Sequence, residues 1–111
     1  MSKAQKRGFL RDELWIGLAK VEQSSRNGVL GDVDRAYTNA IAIADGKASF
    51  RSKVREALAE LGLRLMRLED AETLKARSSK YTIDQELTRV AKETSNTGEV
   101  GFGTFHAFDA K

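Results

Sequence analysis

The stretch "SFRSKVREALAELGLRLMRLED", residues 49–70, carries the strongest periodic pattern in the chain. Its large aliphatic residues recur in alternating steps of four and three, which is the spacing of a coiled-coil seam on one side of an α-helix. Ser49 is a suitable N-cap, because its hydroxyl can accept a hydrogen bond from the first helical turn. The pattern therefore predicts one long helix that begins at Ser49 and extends as far as Arg77. The seam consists of Val54, Leu58, Leu61, Leu65 and Leu68.

Three further segments show helical spacing around this one. They are residues 9–25, which stop at Asn27-Gly28, residues 32–45, which stop at Gly46, and residues 82–97, which open with a capping-box pattern at Thr82. The chain contains no proline, the residue that most strongly interrupts helices. The sequence thus predicts an all-α fold, a small bundle of about four helices with an extended Gly/Phe-rich C-terminal tail. The predicted organisation is a basic N-terminal extension at 1–8, a helical bundle at 9–97 and a C-terminal docking tail at 98–111.

Length and composition limit the class of protein. A chain of 111 residues with 41% hydrophobic and 32% charged residues can bury one core. Cysteine is absent, which excludes disulfides and thiolate metal sites. No apolar run is long enough for a membrane-spanning helix or a signal peptide. We therefore expect a cytoplasmic protein with no membrane partner.

Motifs for catalysis are missing from the sequence. His106 is the single histidine and lies in the tail, where no helix orients it. The glycines of "VGFGTF", residues 100–105, lack the following helix that a phosphate-binding loop needs. We expect no enzyme activity, no catalytic or cofactor-binding residues, no metal ligands and no cofactor.

Surplus apolar side chains indicate contacts with other protein chains. In a helical reading, several large side chains of the first and third helices lie away from the core stripe, and the tail adds three phenylalanines. Monomers seldom expose contiguous apolar patches of more than a few hundred Å². The predicted protein interface comprises Phe9, Trp15, Ile16, Leu63, Met66, Phe102, Phe105 and Phe108.

These features favour a non-enzymatic structural, assembly or adaptor protein that forms homo-oligomers or docks on other subunits. A small helical protein with a docking arm suits a multi-subunit particle, such as the head or neck of a virion. A small inhibitor or regulator of a host protein is a further alternative.

Nucleic-acid binding is the main alternative, because the net charge is +3 and the basic residues are concentrated in two places. A helix-turn-helix aligned on Gly46 fails, since Lys47, Ser52 and Arg55 would occupy positions that must be apolar. Basic side chains at the start of the third helix also oppose the helix dipole, which hints at an anionic partner. The predicted nucleic-acid or anion contacts are Lys3, Lys6, Arg7, Arg11, Arg51, Lys53 and Arg55.

Overall fold

The structure, a computed structural model, describes residues 12–23 and 28–107 and is dominated by an antiparallel sheet. The strand order is β3-β1-β2-β4, and a short β5 also pairs with β2. The predicted all-α fold and helical bundle are therefore wrong. The elements are β1 Glu13–Gln23, β2 Arg35–Ala44, α1 Lys47–Glu60, β3 Leu63–Thr73, α2 Leu74–Ser78, α3 Gln85–Thr97, β4 Gly101–Phe102 and β5 His106–Ala107.

Helices cover both faces of the sheet. On one side, which we name the α1 face, Phe50, Val54 and Leu58 of α1 are fully buried against the strands. On the opposite α3 face, Ile16 of β1 and Ile41 of β2 pack in a second cluster with residues of α3. The sheet is consequently the middle of three layers, and its first strands are buried from both sides.

This double burial explains why β1 was mistaken for a helix. Trp15 and Val21 point to the α1 face, whereas Ile16 lies on the α3 face with no exposed surface. A strand that is buried on one side shows alternating polarity, but a strand buried on both sides becomes an almost continuous apolar run. The side chains that lay off the helical stripe are therefore the second face of a strand.

The alanines of β2 misled the helical reading in another way. Ala36, Ala40 and Ala44 are four residues apart, and a step of four keeps residues on one side of a helix and also on one side of a strand. Thr38 and Ala42 continue the same face at steps of two, and all five residues are buried. Small side chains here let α1 approach the sheet closely. The spacing belongs to a strand.

The predicted long third helix is divided at Gly62. Helix α1 ends at Glu60, and Gly62 adopts a left-handed backbone with φ of 77°. This conformation favours glycine and commonly ends helices. Beyond it, Leu63 and Leu65 alternate with exposed Arg64 as the start of β3. The seam from Val54 to Leu68 therefore runs through two elements.

The fourth predicted helix is confirmed as α3, which ends where expected. Gly98 has φ of 79°, and its backbone N–H donates to the Thr94 carbonyl. The predicted cap at Thr82 is wrong, because the side chain of Asp84 accepts the hydrogen bond from the Leu87 backbone N–H at 2.8 Å. None of the described helices is long and apolar enough to cross a membrane.

The C-terminal segment lies along β2 of its own chain. Phe102 pairs with Ala40, and His106 pairs with Tyr37. Between them the backbone N–H of Gly103 donates to the Asn39 carbonyl at 2.9 Å. The described part of the tail therefore completes one edge of the sheet.

Candidate functional site at the open edge of β3

The outer edge of β3, hereafter the open edge, is the first candidate site. Strand β3 has 11 residues and pairs on one side with β1, and no described strand pairs with its other side. Edge strands carry unpaired backbone N–H and C=O groups that can accept another strand. Met66 lies on this strand and keeps 37% of its surface exposed. The open edge can therefore receive an extended segment of protein.

Two irregularities shape this strand. Its pairing with β1 shifts by one residue at Met66 and again beside Asp70, which has a left-handed backbone with φ of 56°. Such β-bulges bend an edge strand and discourage pairing in arbitrary registers. A strand that pairs along the full length of the open edge would therefore have to accommodate both bulges.

Charges on the α3 face lie next to the open edge. The Glu22 carboxylate of β1 forms ion pairs with Arg64 of β3 and with Arg35 of β2, the second at 3.4 Å. The hydrogen bond from Arg64 is the main cause of the lowered pKa of Glu22, and Arg35 adds to it. Beside this group the ammonium of Lys20 lies 5.9 Å from the centre of the Tyr37 ring. Glu22 therefore links Arg64 of β3 to Arg35 of β2 across the sheet.

The C-terminal end of β3 carries an acidic residue, Glu72, whereas its N-terminal end carries the basic Arg64. Glu72 forms ion pairs with Arg77 of α2 and with Lys80, the second at 2.7 Å. Both bonds lower the pKa of Glu72, with Arg77 as the larger cause. Arg77 also donates to the carbonyl of Asp70 at 2.8 Å. Arg77 of α2 therefore stabilises the bulge at Asp70.

A cleft of about 520 Å³ lies between this end of β3 and the start of α3. Its floor includes Leu18 and Leu87, and its rim includes Lys80 and the exposed Tyr81. Asp84, a further lining residue, is occupied as the cap of α3. Within residues 12–23 and 28–107, no group of three or more His, Cys, Asp or Glu side chains is placed to hold a metal ion.

The structure places most of the predicted interface residues in their own core. Ile16 and Leu63 are buried, and the ring of Trp15 lies 6.1 Å from that of Phe50. Phe102 and Phe105 are half-buried against the α1-face core, with their rings 5.9 Å apart. The argument that these side chains exceed what one chain can cover was therefore wrong.

The remaining interface residues have different positions. Phe9 and Phe108 lie outside the described residues. Met66 is the member of the predicted set whose side chain is described as exposed, and it lies on the open edge. A role in binding a protein partner stays a prediction for Met66.

Three of the seven predicted basic contacts lie within the described residues. Lys3, Lys6, Arg7 and Arg11 lie outside the described residues, whereas Arg51, Lys53 and Arg55 are exposed on α1. Of the three residues on α1, Lys53 is the least suited to bind an anion, because its ammonium already donates a hydrogen bond to the carbonyl of Ile43 at 2.6 Å.

Sequence reasoning missed Lys47, which begins α1 and is exposed. Lys47, Arg51 and Arg55 are spaced by four residues and share one side of the helix. Among the described residues, none of the three forms an ion pair or a side-chain hydrogen bond. Their spacing could have been found from the sequence.

The charged residues Arg67 and Glu69 on the open edge were also missed. They form an ion pair at 3.1 Å, and the Arg67 side chain is 65% exposed. One signal for a strand was present in the sequence, because Leu63 and Leu65 alternate with Arg64. It was short and directly followed a strong helical pattern.

Comparison of the chain with protein-family models, curated proteins and solved structures finds no match. The candidate function therefore depends on the geometry of the site.

Proposed function

We propose that this protein is a non-enzymatic assembly or adaptor protein that joins other protein subunits through the open edge of β3. The main support for this proposal is that β3, a strand of 11 residues, pairs with β1 on one side and with no described strand on the other. Backbone hydrogen bonds supply affinity in strand addition, and the side chains beside them supply selectivity.

The contrast with the rest of the surface supports this proposal. The carboxylates near the cleft, Glu72 and Asp84, are already engaged in ion pairing or helix capping. The open edge instead offers backbone groups together with exposed Met66 and Arg67. Binding is the function that this combination of groups serves best.

Photo-crosslinking tests the proposal. A photoreactive residue replaces Met66 in the full chain, which is expressed in the cells that naturally produce it, and Glu93 on exposed α3 provides the matched control position. We expect a discrete adduct from position 66 and none from position 93. The captured partner is then purified and recombined with the wild-type chain, and hydrogen exchange of the β3 amides is measured.

Slower exchange of the β3 amides in the recombined complex supports docking at this edge. The proposal is overturned if position 66 gives no adduct, or if the captured protein leaves β3 exchange unchanged. Exchange is informative because an edge amide that gains a strand partner is protected from solvent.

Nucleic-acid binding is a second candidate function, favoured by three cations of α1 that form no ion pair with any described residue. Lys47, Arg51 and Arg55 form a stripe with a rise of about 6 Å between neighbours. Phosphate contacts release counterions, so affinity for a labelled oligonucleotide should fall steeply with salt. Arg51→Glu should weaken binding and reduce the salt slope by about one or more, whereas Arg89→Glu on α3 should not. Absence of binding at low salt removes this candidate.

The setting of the protein belongs to the same proposal. We place the assembly in the cytoplasm, on the sequence features given above. Incorporation into a multi-subunit particle, such as a virion head or neck, and regulation of a host protein stay predictions.

A further inference from the structure

We infer that the partner of the open edge is a second copy of this chain, paired antiparallel through β3 with the two Leu68 residues opposite each other. The inference rests on the proposed docking function and adds the identity of the partner and the register. Two copies related by a two-fold axis at Leu68 form one continuous sheet across the interface.

Residues of β3 that lie equally far before and after Leu68 point to the same face of the sheet. Leu65 pairs with Val21 on the α1 face, and Ala71, the residue equally far on the other side of Leu68, also packs against the α1-face core. Leu63 and Thr73, at the two ends, are paired with Gln23 and Trp15 on that same face. Residues that oppose each other in an antiparallel pair point to the same side of a sheet. Leu68-centred pairing satisfies this condition along the whole strand.

The bulges obey the same symmetry. Met66 and Asp70 lie two residues before and two residues after Leu68, and each lies at a register shift. In Leu68-centred pairing, the bulge at Met66 of one copy faces the bulge at Asp70 of the other. Both copies are then displaced at the same points, so the irregularities that obstruct other partners match here.

The charges are complementary about the same centre. Arg67 of one copy opposes Glu69 of the other, and Arg64 opposes Glu72. Each of these side chains also has an ion-pair partner in its own chain, so the contact between copies adds to an existing group of charges. All four pair with β1 residues of the α3 face, so they project from one side of the combined sheet. Opposite charges in directly opposed positions stabilise strand pairs. The two-fold axis repeats each attraction on the other side of Leu68.

Neighbouring registers lose this complementarity. Centring the pair on Arg67 places two arginines in opposition, and centring it on Glu69 places two glutamates in opposition. Like charges in directly opposed positions destabilise a strand pair. The Leu68-centred register is therefore favoured by faces, bulges and charges together.

A mixing experiment tests the register. In a pair of Arg67→Glu chains, the introduced glutamate would oppose Glu69, and in a pair of Glu69→Arg chains the introduced arginine would oppose Arg67. Each variant alone should self-associate at least about tenfold more weakly than wild type. An equimolar mixture should regain association, because both of these opposed positions then join an acid to a base. Sedimentation equilibrium measures the mass against the 12.3 kDa monomer.

The matched control uses the exposed ion pair Arg89–Glu93 of α3, which has a separation of 3.3 Å. Mixing Arg89→Glu with Glu93→Arg changes the same total charge away from the open edge, and we expect no gain in association. Circular dichroism of every variant checks that the fold is retained.

The outcomes separate the two proposals. Suppose that the wild-type chain associates and its β3 amides become protected, but the two variants do not regain association when mixed. This result overturns the register and leaves docking at the edge intact. A wild-type chain that stays monomeric overturns the second copy as partner, whereas the crosslinking experiment decides docking independently. Met66→Asp adds a check on the register, since it would face Asp70 and weaken association, while Met66→Lys would not.

Discussion

The two edges of the sheet differ in what covers them. On the β2 side, the C-terminal segment adds β4 and β5, and the Thr38 hydroxyl donates to the Gly103 carbonyl at 3.0 Å. On the β3 side, the strand is longer, bulged and charged, and no described strand covers it. The chain thus covers one edge with its own aromatic tail, whereas nothing within residues 12–23 and 28–107 pairs with the outer side of β3. This difference separates an edge that the chain itself covers from the edge that we propose binds a partner.

The covered edge depends on a close approach between β4 and α3. A Cβ atom on Gly101 would lie 2.6 Å from Cγ1 of Val90 and 2.8 Å from the Thr94 hydroxyl oxygen. Glycine at this position therefore lets the tail lie against the helix. On the open edge the distinguishing features are the two bulges and the charged side chains.

Removing the tail should have the largest effect. A chain that ends at Thr97 loses both strands that cover β2 and the half-buried Phe102 and Phe105. Full burial of a phenylalanine side chain contributes about 2 kcal/mol, so the two half-buried rings together contribute about 2 kcal/mol. The lost hydrogen bonds between the tail and β2 add to this, and we expect a total loss of about 3 kcal/mol or more of folding free energy. Urea denaturation followed by circular dichroism measures it. Retention of wild-type stability would show that the tail is not part of the core.

Gly101→Val should be the next most damaging change. The added side chain collides with Val90 and Thr94, and overpacking of this kind costs about 1–3 kcal/mol. The shift in the urea midpoint measures the cost. Gly46→Ala is the matched control, because a Cβ atom there has no neighbour within 4 Å. Equal midpoints for the two variants would contradict a tight contact at β4.

Met66→Ala on the open edge should barely change the stability of the monomer, by about 0.5 kcal/mol or less. The side chain is partly exposed, so little buried area is lost. Thermal unfolding at a dilution that keeps the chain monomeric is the suitable measurement. A large loss would assign Met66 to the core instead of the binding edge.

The smallest expected effect concerns Glu86, which anchors the covered edge. The Thr104 hydroxyl donates to its carboxylate, and this bond is the main cause of its lowered pKa. A depressed carboxyl pKa in the folded state stabilises the fold above the ordinary value of 4.5, and that contribution is lost as the pH falls through the folded value. Thr104→Val should raise the pKa of Glu86 in an NMR titration. Thr88→Val, on the exposed side of α3, should leave it unchanged.

Local signals in the sequence identified some elements correctly. Gly98 ends α3 in a left-handed conformation, and the helix was predicted within a few residues. The start of α1 was predicted within two residues, but the predicted N-cap at Ser49 is wrong, because Gly46 occupies the N-cap position and no side chain caps the helix. Both features depend on residues near each other in the chain. The left-handed glycine that ends α3 needs no information from distant segments, whereas both predicted N-caps, Ser49 and Thr82, were wrong.

The candidate site was harder to find for a physical reason. Met66 was selected, but as part of a helix face, and its neighbours Arg67 and Glu69 were treated as ordinary surface charges. An open edge is defined by which strands lie beside it, and that depends on pairing between residues far apart in sequence. No local pattern shows that β3 pairs with β1 on one side and with no described strand on the other.

The sequence by itself determined the helix end at Gly98, the absence of cysteine chemistry and the placement of charges along residues 63–73. Tertiary structure decided that residues 13–23 and 35–44 are strands and that the tail lies on β2. A spacing of four is compatible with both a helix and a strand, and apolar residues on two sides fit either a buried helix or a doubly covered strand. Only the partners supplied by folding resolve that choice, because the backbone hydrogen bonds of a strand belong to its neighbours.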